Sequence, residues 1–368
     1  MKLGAQTDMA VDEVFQKYCT ARRIAAFDPD SPYSNALHRL LSNHFEQQAA
    51  QIETEFPKIS RLRFGFYECN RFGAAADLWE GTAVIRMSAA VPTMLANFFT
   101  ACLSHDNGFL PPGRDILPRY AGTIGFNETT ILADLFNHGQ LIEHSSLNVM
   151  RVTALVLACC GFIFLHEFVH IRNGHVDLFQ SQLGLLPMEE MKTVAAPKLS
   201  TLDFQTMEWD ADNIAFILNT ALAIRNMAGQ ELSFCDGEDL ISMFHVYCVS
   251  LYLMFKLMEL MEPKNIQARS HPHPVLRTLF LMEKLRVLAA PMGIDTLPME
   301  FDVDVVGAGE ATWALVLGFP LFDPSRVLTL MDEQAEYGPV ILKHWITLRE
   351  RLTPLNRGTS DLTRFLDE

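Results

Sequence analysis

The sequence predicts an α+β fold that is mostly helical, with one small mixed sheet and a buried helix that carries the chemistry. Three observations lead there. Apolar residues recur at helical spacing along most of the 368 positions. Around residues 60–90 the period shortens to two, the mark of strands. Between Ala154 and Leu165 eleven of twelve residues are apolar, and His166-Glu167-Phe168-Val169-His170 follows directly. An apolar share of 49% supports a sizeable core.

Residues 10–55 are expected to form two helices. The second opens at Ser31-Pro32, an N-cap with proline in the first turn, and places Leu37, Leu40, Leu41 and Phe45 on one face. Arg61–Glu68 alternates Leu62, Phe64 and Phe66 with Arg61, Arg63 and Gly65, as a half-buried strand does. Thr82–Ser88 is a second strand, with Ala83, Ile85 and Met87 on one face and Val84 interrupting the other. It is either an exposed edge to which an extended peptide can add or a strand paired inside the sheet. A helix from Pro92 to Leu103 follows. Residues 104–129, with Pro111-Pro112-Gly113, read as a long loop that either covers a cleft or is mobile, and Thr129–His138 as a short helix.

Ser145-Ser146 can cap a long helix from Leu147 to about Asn173, stopped by Gly174. Residues 176–199 read as loop with small helical pieces, and Ser200 caps a helix running to about Met227. Then come an apolar helix over 239–262, the break Ser270-His271-Pro272-His273-Pro274, and a helix over Val275–Leu288. An apolar segment Ala311–Phe322 and one or two helices between Pro324 and Leu352 complete the chain. With no repeat or linker visible, residues 1–368 read as one helix-rich unit. Its core is 60–285, preceded by N-terminal helices in 1–59 and followed by a helical extension in 286–368.

A net charge of −15 argues against nucleic acid and against an anionic membrane surface, both of which call for a basic face. The seven cysteines are odd in number and form no C-x-x-C, which suits buried thiols in a reducing compartment. Met1–Asp8 lacks the apolar run of a signal peptide. Val152–Leu165 is too short to cross a membrane, and Ile241–Met261 carries His245, Lys256 and Glu259. A cytoplasmic protein without a membrane span is the expectation.

His166 and His170 are four apart, hence on one helix face, where two imidazoles can share a metal ion. Glu167 projects at a neighbouring angle and can reach a water on that ion without being a ligand. Zinc fits this donor set, and zinc catalysis needs a third protein ligand. The longer metzincin pattern fails, because Asn173 and Val176 stand where Gly and His are required. Glu208 and Asp212, four apart on a later helix, are the favoured alternative. Glu208 would bind the metal, and Asp212 would accept the outer N–H of His166 or His170, fixing its tautomer. His271 and His273 are further ligand candidates. They are also candidate donors to a tetrahedral oxyanion, unless their His-Pro turn merely caps a helix.

With these residues in place the sequence resembles the gluzincin metallopeptidases of the HtpX and CAAX-prenyl-protease group. H-E-x-x-H-x-x-x-x-H at His166–His175 and E-x-x-A-D at Glu208–Asp212 carry the likeness. So do Asn70-Arg71-Phe72-Gly73 before a strand, and His271-Pro272 before a helix with Arg277. Arg71 departs from the family's small residue there. The family's transmembrane helices have no counterpart, which points to a soluble branch, and the Lit-type phage-exclusion peptidases are a further group it resembles. The resemblance implies a zincin-like core and a zinc-dependent endopeptidase acting on a protein or peptide. His166, His170 and Glu208 would hold the metal, Glu167 would be the general base, and His271 would assist catalysis. The competing class is a non-catalytic regulatory or binding protein on the same scaffold. An intact Glu167 separates the two, since a structural site has no use for a general base.

Overall fold

A computed structural model of the chain describes residues 12–30, 36–103, 146–183, 188–189, 199–228, 240–261, 271–292, 294, 296–298, 300–317, 328–329, 331–332 and 335–358. The long loop at 104–129, the helix at Thr129–His138 and the Ser31-Pro32 cap lie outside the described residues.

The first helix, α1 (Glu13–Arg22), starts where Asp12 accepts the amide N–H of Val14 at 2.7 Å. The second, α2 (Ala36–Glu55), lays Leu41, Phe45, Ala49 and Ile52 on the sheet and core. The chain then forms β1 (Leu62–Tyr67), β2 (Ala74–Trp79) and β3 (Thr82–Ser88), and later β4 (Met188–Glu189). In the sheet the order is β1-β3-β2-β4. β1 runs parallel to β3, with Phe64 opposite Ile85, and β2 runs antiparallel to it, with Ala76 opposite Ile85.

Two sequence expectations change here. Thr82–Ser88 is a central strand, hydrogen-bonded on both sides, so it offers no free edge for a peptide. All seven of its residues are buried, which is why Val84 broke the alternation. Ala74–Trp79 is a strand that the pattern did not announce. Three alanines have low strand propensity. Asp77, fully buried, sits in β2 because Arg22 (2.6 Å) and Gln180 (2.8 Å) reach it from two helices.

Further helices among the described residues are α3 (Ala90–Leu103), α4 (Ser146–Arg172), α5 (His175–Leu183), α6 (Thr201–Ala228), α7 (Leu240–Glu259), α8 (Pro274–Ala289), α9 (Phe301–Leu317) and α10 (Gly338–Leu352). Helix α4 is the axis of the core. It packs on α6 most extensively, and also on α2, α3, α7 and strands β2 and β3. Phe164 stacks on Phe45 (4.8 Å between centroids), and Phe162 meets Phe255 edge-on. Helix α6 comes close to α4 at Gly161, where an added Cβ would stand 2.8 Å from Asn219 Oδ1. Asn219 in turn donates to the Ala158 carbonyl (2.8 Å), pinning the two helices about two turns before the His166 motif.

Among the described residues two helices, Val149–Arg172 and Leu240–Glu259, are long and apolar enough to cross a membrane. The Val152–Leu165 run, expected to be too short, thus lies in a helix that is long enough, and the two windows are 89% and 78% buried inside the protein. Burial of this extent is what core helices show.

His245 on α7 is buried against Phe301, and burial pulls its pKa down to about 4. The folded chain therefore binds that proton less readily than the unfolded chain, whose histidine titrates near 6.5. Its contribution is intact above pH 6.5 and is lost as the pH falls towards 4, by up to about 3 kcal/mol. Unfolding midpoints measured from pH 7 to 4 should fall less steeply for His245→Phe than for the wild-type chain. Parallel curves would remove His245 as a cause.

Candidate metal centre

The motif helix delivers its two imidazoles to one point. His166 Nε2 and His170 Nε2 face each other at 2.9 Å. The Glu208 carboxylate arrives from α6, with Oε2 3.0 Å from His166 Nε2 and Oε1 3.4 Å from His170 Nε2. All three side chains are buried, and Glu167 beside them is only 1% exposed. Among the described residues, this is the group whose ligand atoms lie close enough together, within 4.8 Å of one another, to hold a metal ion. The donor set of two imidazole nitrogens and one carboxylate fits such an ion.

Each histidine is gripped from behind, and this leaves Nε2 as the inward donor. His166 Nδ1 lies 2.9 Å from Asp212 Oδ1. Asp212 is held by Arg277 through two parallel bonds, Nε to Oδ2 at 2.7 Å and Nη2 to Oδ1 at 2.8 Å. Arg277 is itself buried under the Phe255 ring, with its guanidinium carbon 4.0 Å from the centroid. His170 Nδ1 lies 2.9 Å from His175 Nδ1, and His175 Nε2 lies 3.2 Å from Asp210 Oδ2. Asn173 donates to the same Asp210 oxygen at 2.5 Å.

Local backbone geometry makes this second contact possible. Gly174 takes φ +82°, which an L side chain rarely adopts, and ends α4 with a sharp reversal. The next residue, His175, opens α5 and swings back over His170. A Cβ at 174 would also come within 2.5 Å of Leu355, part of a C-terminal segment strapped across this turn. There the Arg357 amide donates to the Arg172 carbonyl (2.7 Å), and its guanidinium pairs with Asp177.

Electrostatics divide the histidines. Burial opposes a charge on His166, but Asp212 and Glu208 outweigh it and hold its pKa well above the ordinary value. Burial pulls His170 down to about 4. Burial also opposes the charges of both acids, yet the facing imidazoles hold Glu208 well below the carboxylate range, and Arg277 lowers Asp212. A His170 that resists protonation, a Glu208 that resists neutralisation and a His166 that favours protonation thus share one small space. A divalent cation would replace the His166 proton with a charge that all three donors face.

The sequence-derived candidates separate as follows. His166, His170, Glu208 and Asp212 come together, and Asp212 backs His166 rather than His170. His271 Nε2 lies 3.2 Å from Glu208 Oε2, so it belongs to this cluster. His273 does not. Its Nδ1 accepts the Val275 amide N–H at 3.2 Å, its Nε2 lies 3.6 Å from Glu259, and it caps α8. Of the two adjacent His-Pro units, one serves the site and the other the helix. Arg71 is exposed. Sequence reading missed the parts of Arg277, Asp210 and Asn173. A buried Arg needs a carboxylate partner, and the spare acid in Glu208–Asp212 was the signal available.

Comparison of the chain with protein-family models, with curated proteins and with solved structures finds no match.

Proposed function

We propose that this chain is a zinc-dependent endopeptidase of the gluzincin type. The observation that carries the reading is the convergence of His166 Nε2, His170 Nε2 and a Glu208 oxygen, with a buried carboxylate, Glu167, on the same helix. Zinc suits two imidazoles and a carboxylate, and when bound it supplies a Lewis acid that polarises a peptide carbonyl and brings the pKa of water towards neutrality. The resemblance to the HtpX and CAAX-prenyl-protease group supports the same assignment.

In this reading Glu167 takes the proton of the attacking water and returns it to the leaving amine, acting as base and then as acid. The water oxygen bonds to the carbonyl carbon, and the C–N bond breaks as the amine gains the proton. Asp212 and Arg277 hold the His166 ring in place. His271 is the donor assigned to the oxyanion, since a tetrahedral intermediate needs one besides the cation. Because the site residues are buried, a peptide reaches Glu167 only after an opening movement.

The test is cleavage of casein, or of the chain itself, followed with and without a zinc chelator. Activity should vanish with the chelator and return with added zinc. Cleavage that ignores the chelator contradicts the proposal. Glu208→Ala should weaken zinc binding by more than about 100-fold, the upper range for losing even an outer partner. Unchanged affinity removes Glu208 as a ligand.

A further inference from the structure

We infer that His175 and Asp210 form a positioning relay that fixes His170 for the metal, a second support independent of the one behind His166. The inference rests on the metal reading above and extends it to residues that touch no metal or substrate.

Only one proton can lie between His170 Nδ1 and His175 Nδ1 at 2.9 Å. If His170 gives its Nε2 lone pair to a cation, that proton belongs to His170, which then donates to His175. His175 must therefore carry its own proton on Nε2, and that nitrogen lies within ion-pair distance of Asp210 Oδ2, at 3.2 Å, without the alignment of a full hydrogen bond. Asn173 holds the same carboxylate oxygen at 2.5 Å, and Arg172 holds Asn173 Oδ1 at 3.0 Å. The run His170–His175–Asp210–Asn173 thus allows one arrangement of hydrogens that is consistent with His170 as a ligand. His175 is fully buried and Asp210 is 6% exposed, so solvent offers little substitute for either partner.

The two supports differ in build. Behind His166 stands a carboxylate clamped by Arg277. Behind His170 an imidazole is interposed between the ligand and its carboxylate. The spacing explains why. Gly174 brings back a residue five positions on from His170, and Asp210 sits two residues from each of Glu208 and Asp212 along α6. A single run, Glu208-Trp209-Asp210-Ala211-Asp212, thereby supplies a ligand and both outer carboxylates.

The experiment measures zinc affinity by chelator competition for the wild-type chain, His175→Phe, His175→Gln and Asp210→Asn, alongside thermal unfolding of each metal-free chain. Phenylalanine keeps the ring volume without nitrogens. Glutamine restores one acceptor for His170 and one donor for Asp210. His175→Phe should weaken zinc binding about 10- to 100-fold, the usual cost of an outer-shell loss. His175→Gln should recover most of that factor, and Asp210→Asn should lose about 10-fold. The cobalt-loaded wild type and His175→Gln should share a visible absorption spectrum that His175→Phe changes. If Phe and Gln weaken binding equally and lower metal-free stability equally, His175 only fills space, and the relay is wrong. Wild-type affinity in His175→Phe overturns it as well. Where His175→Phe does not fold, Asp210→Asn at wild-type affinity overturns it. A wild-type chain that binds no zinc ends both this inference and the metal reading on which it rests, and the wild-type titration alone reports that outcome.

Discussion

Glu167→Gln should abolish cleavage while leaving zinc in place. Glutamine matches glutamate in shape but cannot take a proton, so the rate should fall by about 10²- to 10⁴-fold, the usual worth of a general base. Metal content should not change, because the donors that converge are His166, His170 and Glu208 and not Glu167. The two halves of the result separate the competing classes. A binding protein on this scaffold would lose nothing on the substitution, whereas an enzyme would lose turnover alone. Chelator-sensitive cleavage at equal rates in both chains would remove Glu167 as the base, and loss of metal together with activity would mean that Glu167 had been holding the site together.

Arg277→Met should be the most destabilising single change at the site. Arg277 and Asp212 are 3% and 2% exposed, and removing one partner of a buried pair strands the other charge, at a cost of about 3–5 kcal/mol. Here the stranded group is Asp212, which also backs His166, so zinc affinity should fall together with the denaturation midpoint. Asp212→Asn combined with Arg277→Met should cost less than the two single changes added, because the double variant buries no unpaired charge. Additive losses would show that the pair does not act as a unit. Urea titrations of the four chains, with and without zinc, give both readings.

Much of the site was legible in the chain because its parts are local. The i, i+4 spacing puts His166 with His170 and Glu208 with Asp212 by helix geometry alone, and the helix bearing the first pair ends at Gly174 as its residues foretold. What pairs across elements was not legible. Whether Asp212 meets His166 or His170 depends on how α6 crosses α4, and those helices approach closely where Gly161 faces Asn219. The return of His175 onto His170 depends on the reversal at Gly174. The sheet divides in the same way. Leu62–Tyr67 shows its alternation because one face is covered less than the other. Ala74–Trp79 hides, because most of it is buried on both faces and its acid is neutralised by residues far along the chain.

Metal content tests the central claim most directly. The wild-type chain and Glu167→Gln should each bind about one equivalent of zinc, and the combined variant His166→Ala and His170→Ala should bind none at that affinity. A wild-type chain that takes up no metal, or a double variant that takes up as much as the wild type, would contradict the assignment of His166, His170 and Glu208 as the site.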